Sequence, residues 1–281
     1  MNTPQIMDEV EELARQAGER VVEIYRENFD VEYKKDDRNS PLTDADRESH
    51  RIIVAGLEEI TPEIPIISEE STDNTEYENR RHFDRFWLVD PLDGTREFVN
   101  KNDEFTVNIG LIDHGTPVAG VVVAPVLELI YRTDGRDVVA RRDGETTSIQ
   151  VSNVDDPERA TLVCSRSHRS QELQGVIDGL NFAETRPRGS SLKICMVAEA
   201  EADVYCRFGP TWYWDPAAAF AFWGLAGGII SEPYVNFHTY NSENLKNDRG
   251  FLITNSLLHD VVSEAMAEQI GEPEDVVREH S

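Results

Sequence analysis

WLVDPLDGTREF, residues 87–98, is the stretch on which the fold reading turns. Trp87, Leu88 and Val89 form a short apolar strand that runs straight into Asp90. Pro91 stiffens the link to a second aspartate, Asp93, and Gly94-Thr95 follow. A strand end that turns Asp90 and Asp93 into one loop offers two hard oxygen ligands on a rigid spacer, because proline fixes its own φ. Gly94 lets a ligand approach the backbone closely. Thr95 is placed to cap a helix whose N-terminal amides suit a phosphate. Carboxylates beside an anion site point to Mg²⁺, which binds a few carboxylates plus water and substrate oxygens. Asp-Pro-x-Asp alone is an ordinary turn; Asp-Pro-x-Asp-Gly-Thr directly after an apolar strand is far more specific.

Two further acidic features complete a site of this kind. Glu69 and Glu70 follow the apolar run IPIIS (64–68), although a Glu-Glu pair also fits a solvated face. Asp215 stands in WYWDPAAA, where two readings are open. It fits a helix N-cap with Pro216 at the first helical position. It also fits a carboxylate partly buried among Trp212, Trp214 and small apolar residues, which then needs a partner such as a metal.

The composition narrows the function classes. The chain has 281 residues, enough for one large or two modest domains, and 39% hydrophobic residues. No run approaches the roughly 18 apolar residues of a membrane span. The acidic N-terminus resembles neither a signal nor a transit peptide, so a cytoplasmic location is expected. Net charge is -27, and the only lysines are Lys34, Lys35, Lys101, Lys193 and Lys246. A polymeric nucleic acid is therefore excluded as a partner, since its surface requires clustered cations. Acid spread through the whole sequence fits a protein from a salt-rich, halophilic cytoplasm, where salt screens self-repulsion; an ordinary acidic protein is the other reading. Cys164, Cys195 and Cys206 lack CxxC spacing and read as small core residues.

Along the chain, Ile6, Val10, Leu13, Ala17, Val21 and Ile24 predict a helix over 4–28. Residues 34–46 read as a polar loop, with Thr43 capping a helix from about Ala45 to Ile60 that Pro62 closes. Residues 71–82 read as a charged surface excursion. Residues 104–133 read as successive strands, turning at Asp113-His114-Gly115, with a weaker pair turning at Asp143-Gly144. The first half thus predicts helices packed on an antiparallel sheet. Beyond Asp155-Asp156-Pro157, strands and helices alternate: ATLVCSRSH, SQELQGVIDGL, SSLKICMVAEAEA, ADVYCRF, and a small-residue helix DPAAAFAFWGLAGG ended by glycines. No repeat of 20–50 residues is present. The expected division is 1–155 as an N-terminal α+β half carrying most metal ligands, 156–269 as a C-terminal α/β half carrying Asp215 and the substrate pocket, and 270–281 as an acidic tail.

Taken together, NSPLTDAD, SEE, WLVDPLDGTREF, EFTVNIGLIDHG, GVVVAPV, SRSH, GSSLK and WDPAAA resemble the Mg²⁺-dependent phosphatase superfamily of inositol monophosphatases and fructose-1,6-bisphosphatases. Within it the chain most resembles the CysQ-type 3'(2'),5'-bisphosphate nucleotidases, over most of its length. Glu97 stands where inositol monophosphatases usually carry Asn. Arg96 replaces the more usual Lys of the nucleotidase branch, and Pro216 a frequent Thr. The resemblance implies an α/β/α/β/α layered sandwich of the α/β (α+β) class with the metals between its halves. It implies that Glu69, Asp90 and the Leu92 carbonyl bind one Mg²⁺, and Asp90, Asp93 and Asp215 a second. Thr43 and Asp46 lie where relatives hold a weaker third. Thr95 and Glu69 would orient the attacking water, and the Gly94 and Thr95 amides would hold the phosphate.

A phosphate ester resists hydrolysis because a poor nucleophile must attack an anion. Paired cations roughly 4 Å apart relieve this by activating water and stabilising the leaving oxygen. So acidic a cluster is partly protonated without metal, so metal affinity falls with pH. Lys193, with Ser190 and Ser191, reads as a contact to a second phosphate or sugar, or else as an exposed helix residue. His168 reads as a pocket or a surface residue, and Arg207 as a weaker substrate contact. The implied reaction is hydrolysis of adenosine 3',5'-bisphosphate to AMP and phosphate, with 3'-phosphoadenylyl sulfate as a second substrate, in sulfur metabolism. The alternatives are an inositol monophosphatase or fructose-1,6-bisphosphatase of the same chemistry, and, remotely, a non-catalytic metal or nucleotide binder. The partner is a small phosphorylated molecule, and the protein is a monomer or a homodimer.

Overall fold

The computed structural model describes residues 3–27, 31–33, 41–71, 76–166, 170–231 and 240–270. The long amphipathic segment at the start forms α1 (Thr3–Arg26), which buries Ile6, Val10, Leu13, Ala17, Val21 and Ile24. After β1 (Val31–Tyr33) comes a stretch expected to be loop. Its described end is instead the short strand β2 (Pro41–Thr43), which pairs antiparallel with β1 and leads directly into α2 (Asp44–Ile60). Thr43 and Asp46 form a reciprocal capping box, each satisfying a backbone amide that the first helical turn leaves over.

The seven-stranded sheet is built from β3 (Ile66–Ser68), β4 (Arg85–Asp93), β5 (Thr106–Asp113), β6 (Thr116–Ala124), β7 (Leu129–Thr133), β8 (Val138–Arg142) and β9 (Glu145–Ser148), in that order. All neighbours are antiparallel except β3 and β4, which pair in parallel. The charged segment between β3 and β4 is not all surface. It contains α3 (Tyr77–Arg80), and Arg80 is 1% exposed. The Arg80 guanidinium donates to Asn241 Oδ1 and to the carbonyls of Ser242 and Glu243, which explains how a cation tolerates burial. After β4 comes α4 (Thr95–Val99).

The second half opens with β10 (Thr161–Ser165), α5 (Gln171–Leu180), β11 (Glu184–Arg188), α6 (Leu192–Ala198) and β12 (Val204–Arg207). It continues through β13 (Thr211–Trp212), α7 (Trp214–Phe220), α8 (Trp223–Ala226), β14 (Gly228–Ser231), β15 (Lys246–Asn247), β16 (Phe251–Asn255) and α9 (His259–Ile270). The small-residue segment forms two short helices, not one, and Gly227 ends the second in the left-handed conformation. A five-stranded sheet runs β11-β10-β12-β16-β14. It is parallel where βαβ crossovers join the strands and antiparallel at β16. The tail from 271 lies outside the described residues.

Three apolar layers join these parts. Trp87, Val89, Val107, Ile109 and Val121 face α1 and α2. Val122, Tyr131 and Val138 face the opposite way, onto α6, α7 and β12–β16 side chains such as Tyr205 and Ile253. Leu162, Val204 and Leu252 cover the far face of the second sheet with Leu173, Val176, Val262 and Met266 of α5 and α9. The result is an α/β/α/β/α sandwich. Sheets buried on both faces explain why strands such as 86–89 are apolar without alternation. Cys164, Cys195 and Cys206 are buried free thiols within these layers.

Candidate active site

The parallel register Ser68↔Val89 sets Glu69 alongside Asp90, and the Glu69 amide donates to the Val89 carbonyl at 3.0 Å. At Asp90 the β4–β5 ladder breaks register until Asp93, so the proline turn bulges out of the sheet. Ser49 Oγ on α2 donates to the Pro91 carbonyl at 2.7 Å, and the Leu92 amide donates to Asp90 Oδ1 at 3.1 Å. These bonds hold the turn from behind. Gly94 takes φ 89°, which side-chain-bearing residues avoid, and is itself the N-cap of α4. Thr95 is thus not the cap. Its hydroxyl lies 3.3 Å from the Leu92 carbonyl and 3.4 Å from Asp46 Oδ1.

Asp215 comes from the other half, in the first turn of α7, where Tyr213 and not Asp215 occupies the N-cap position. Pro216 remains tolerable there because first-turn amides have no intrahelical acceptor. Glu69, Asp90 and Asp215 each place an oxygen within 4.8 Å of the others; Asp90 is buried and its companions half-buried. Asp93 shares the pocket wall but stands outside that group of three. Its Oδ2 accepts from the Ser191 amide at 2.6 Å and lies 2.7 Å from Ser191 Oγ. The predicted pair Thr43 and Asp46 is buried behind the wall. Asp46 Oδ2 is engaged by the Thr43 amide and hydroxyl, both at 2.7 Å.

These groups open into a cavity of about 810 Å³ that also exposes Leu92, Gly94, Thr95, Ser190, Ser191, Lys193 and Arg207. Lys193 is only 6% exposed, which excludes the reading as a surface helix residue. Its ammonium donates to the Ser190 carbonyl at 2.6 Å and lies 5.5 Å from the Tyr205 ring centroid. Arg207 Nη2 donates to the Pro210 carbonyl at 2.7 Å, while its buried Nε has no hydrogen-bond partner among the described residues. Ser191 Oγ, read from sequence as a substrate contact, is engaged with the protein, lying 2.7 Å from both Asp93 Oδ2 and the Asp215 carbonyl. His168 lies outside the described residues.

Several residues that the sequence reading did not assign to the pocket line it or lie beneath it. Glu97 lines the cavity, and burial pushes its carboxyl above the usual range, against the pull of its own amide and Lys193. Trp212 and Tyr205 supply aromatic wall, and Lys246 a further cation. Asn108 is wholly buried beneath the site. An amide inside the apolar run VNIGLI was the available signal. Crowded carboxylates with hard oxygens, in one cavity with Lys193 and Arg207, match a divalent cation.

The model of the inositol monophosphatase family matches residues 4–271. Over 229 residues the chain is 44% identical to the 3'(2'),5'-bisphosphate nucleotidase CysQ of Escherichia coli K12, covering 81% of this chain and 90% of that one. Among solved structures, CysQ from Bacteroides thetaiotaomicron is 35% identical with a TM-score of 0.76, covering 90% of this chain and 97% of the other. An inositol monophosphatase from Anabaena, 22% identical, shares the fold with a TM-score of 0.75 over 98% of this chain and all of its own.

Proposed function

Because the chain belongs to the inositol monophosphatase family, we propose that it is a metal-dependent phosphatase that hydrolyses adenosine 3',5'-bisphosphate to AMP and phosphate. The observation that carries the reading is the convergence of Glu69, Asp90 and Asp215 from both halves into one cavity that also holds Lys193 and Arg207. The carboxylates suit cations that grip the phosphoryl group leaving the ester. Lys193 and Arg207 suit a second, retained phosphate. A 44% identical relative named for bisphosphate nucleotides supports the same substrate class.

In this reading Glu69, Asp90, Asp93, Asp215 and the Leu92 carbonyl would hold two Mg²⁺ ions. When bound, they supply Lewis-acid stabilisation and an activated water. The rest falls to the chain. Thr95 Oγ1, set between the Leu92 carbonyl and Asp46 Oδ1, orients the attacking water together with Glu69. The Gly94 and Thr95 amides, at the start of α4, receive phosphate oxygens. Lys193 and Arg207 hold the remaining phosphate, with Ser190 beside them. The residues of 1–155 and 156–269 thereby act as two halves that close one site.

The test is a phosphate-release panel on adenosine 3',5'-bisphosphate, inositol 1-phosphate and fructose 1,6-bisphosphate. The nucleotide is expected to turn over fastest, activity to vanish with chelator and to return with Mg²⁺. Asp90→Asn is expected to lower turnover at least about a hundredfold, since even partners one shell outside a metal cost 10–100-fold, with an unchanged melting temperature. Full activity in excess chelator overturns the metal reading; preference for inositol 1-phosphate overturns the substrate.

A further inference from the structure

We propose that Asn108 and Ser191 are positioning residues, a hydrogen-bonded joint between the two halves that aims Asp93 at the metal cluster. The proposal rests on the metal reading above. Asn108 belongs to β5 and is the direct cross-strand partner of Asp90. It is 0% exposed in a strand otherwise suited to apolar side chains, where an amide is costly unless its donors are used. They are used at this joint, although the amide oxygen Oδ1 has no hydrogen-bond partner among the described residues. Asn108 Nδ2 faces Asp93 Oδ2, Ser191 Oγ and the Asp215 carbonyl at 3.3, 3.0 and 3.1 Å. The three acceptors fix the amide's orientation, because a flipped amide would point its oxygen at a carboxylate.

Ser191 completes the joint from the second half. Its amide and hydroxyl reach Asp93 Oδ2 at 2.6 and 2.7 Å, and the hydroxyl also lies 2.7 Å from the Asp215 carbonyl. One oxygen of Asp93 is thus crowded with donors, and Oδ1 is the oxygen left to the pocket. The same two side chains touch the backbone of Asp215, so they set the separation between a carboxylate of one half and a carboxylate of the other. The joint is braced from behind. Ser190 is held at φ 47°, and the Gly189 amide donates to Glu104 Oε2 at 2.8 Å. Glu104, 6% exposed, is gripped in turn by Arg166 at 2.6 Å and Arg188 at 3.3 Å. Hydrogen bonds that orient a ligating carboxylate tune metal affinity, typically by about 10–100-fold when they are lost.

The test measures Mg²⁺ binding by calorimetry with no substrate present, alongside phosphate release at saturating Mg²⁺. Ser191→Ala and Asn108→Thr are each expected to weaken Mg²⁺ binding roughly tenfold or more, the scale of a lost hydrogen bond to a charged group. Substrate KM should change less than about threefold, and Ser191→Thr should restore binding. The double variant should be no worse than the weaker-binding single variant, because both act through Asp93. A raised substrate KM with unchanged Mg²⁺ binding makes Ser191 a substrate contact and overturns the joint. So does a lowered melting temperature with unchanged Mg²⁺ affinity. If Asn108→Thr fails to fold, Ser191→Ala, which removes one oxygen, decides alone. Asp90→Asn is the control: normal Mg²⁺ binding there overturns the metal reading itself, whereas its loss beside an unaffected Ser191→Ala overturns only the joint.

Discussion

A lysine in a strongly acidic chain is buried only where something uses its charge, and Lys193 shows what that use demands. Its ammonium carries three donors, one of which goes to the Ser190 carbonyl. The cavity beside it also holds Glu97, whose carboxyl burial pushes upward while Lys193 pulls it down. A cation in the same cavity as the acidic cluster would discriminate between ligands with one phosphate and with two. Lys193→Met is therefore expected to raise KM for adenosine 3',5'-bisphosphate about tenfold or more, the value of one charge-assisted hydrogen bond. For a simple phosphate monoester it should change KM less than threefold. Equal losses on both substrates would assign Lys193 to the common phosphoryl site. The lysine itself was readable, since GSSLK is a local string; its burial was not, because that depends on Tyr205 and the sheet beneath.

At the scale of elements, α7 must bring Asp215 close to β4 while lying flat on the first sheet. Gly110 and Gly120, cross-strand partners in β5 and β6, make that approach possible. A Cβ on Gly120 would stand 2.3 Å from the Ala218 carbonyl oxygen, and one on Gly110 would stand 3.0 Å from the Ala218 amide nitrogen. Backbone cannot yield as a flexible side chain can. Gly120→Ala should therefore cost about 1–3 kcal/mol in denaturant unfolding, as overpacking does, and weaken Mg²⁺ binding by displacing the Asp215 helix. A fully stable variant with normal metal binding would contradict this packing account. Most elements of the first half were legible because period and turn chemistry agree in them. Those missed lack such signals. β11 is an edge strand reading ETRPR, with a proline and three charges and no alternation. Of α9, only Val262 and Met266 are buried, too few to mark a face.

For the whole molecule, the join between the halves carries a titration. Glu199, at the end of α6, accepts from the Tyr131 hydroxyl of the first sheet and lies 3.5 Å from Arg142. Burial raises its pKa above 4.5; the Tyr131 hydrogen bond opposes this and Glu201 adds to it. A carboxyl whose folded pKa is raised favours folding while it is protonated in both states, below about 4.5. That contribution is lost as pH rises through the folded value. Glu199→Gln keeps an acceptor for Tyr131 without the charge. Its melting temperature should exceed that of the parent at pH 7, and the gap should close as pH falls toward 4.5. A gap independent of pH would place the effect elsewhere.

What the sequence by itself determined was local: the proline-linked aspartates at a strand end, the Thr43–Asp46 helix start, the strand and helix periods, and the residue types that a divalent cation requires. These follow from chemistry within a few neighbouring residues. Only the tertiary structure decided that Asp93 spends one oxygen on Ser191, that Arg80 is core, and that Asn108 and Glu104 brace the site. Each of those depends on groups 80 or more residues apart in the chain, or, for Arg80, about 160. Their separation is set by how two sheets and the helices between them pack, which no local pattern encodes.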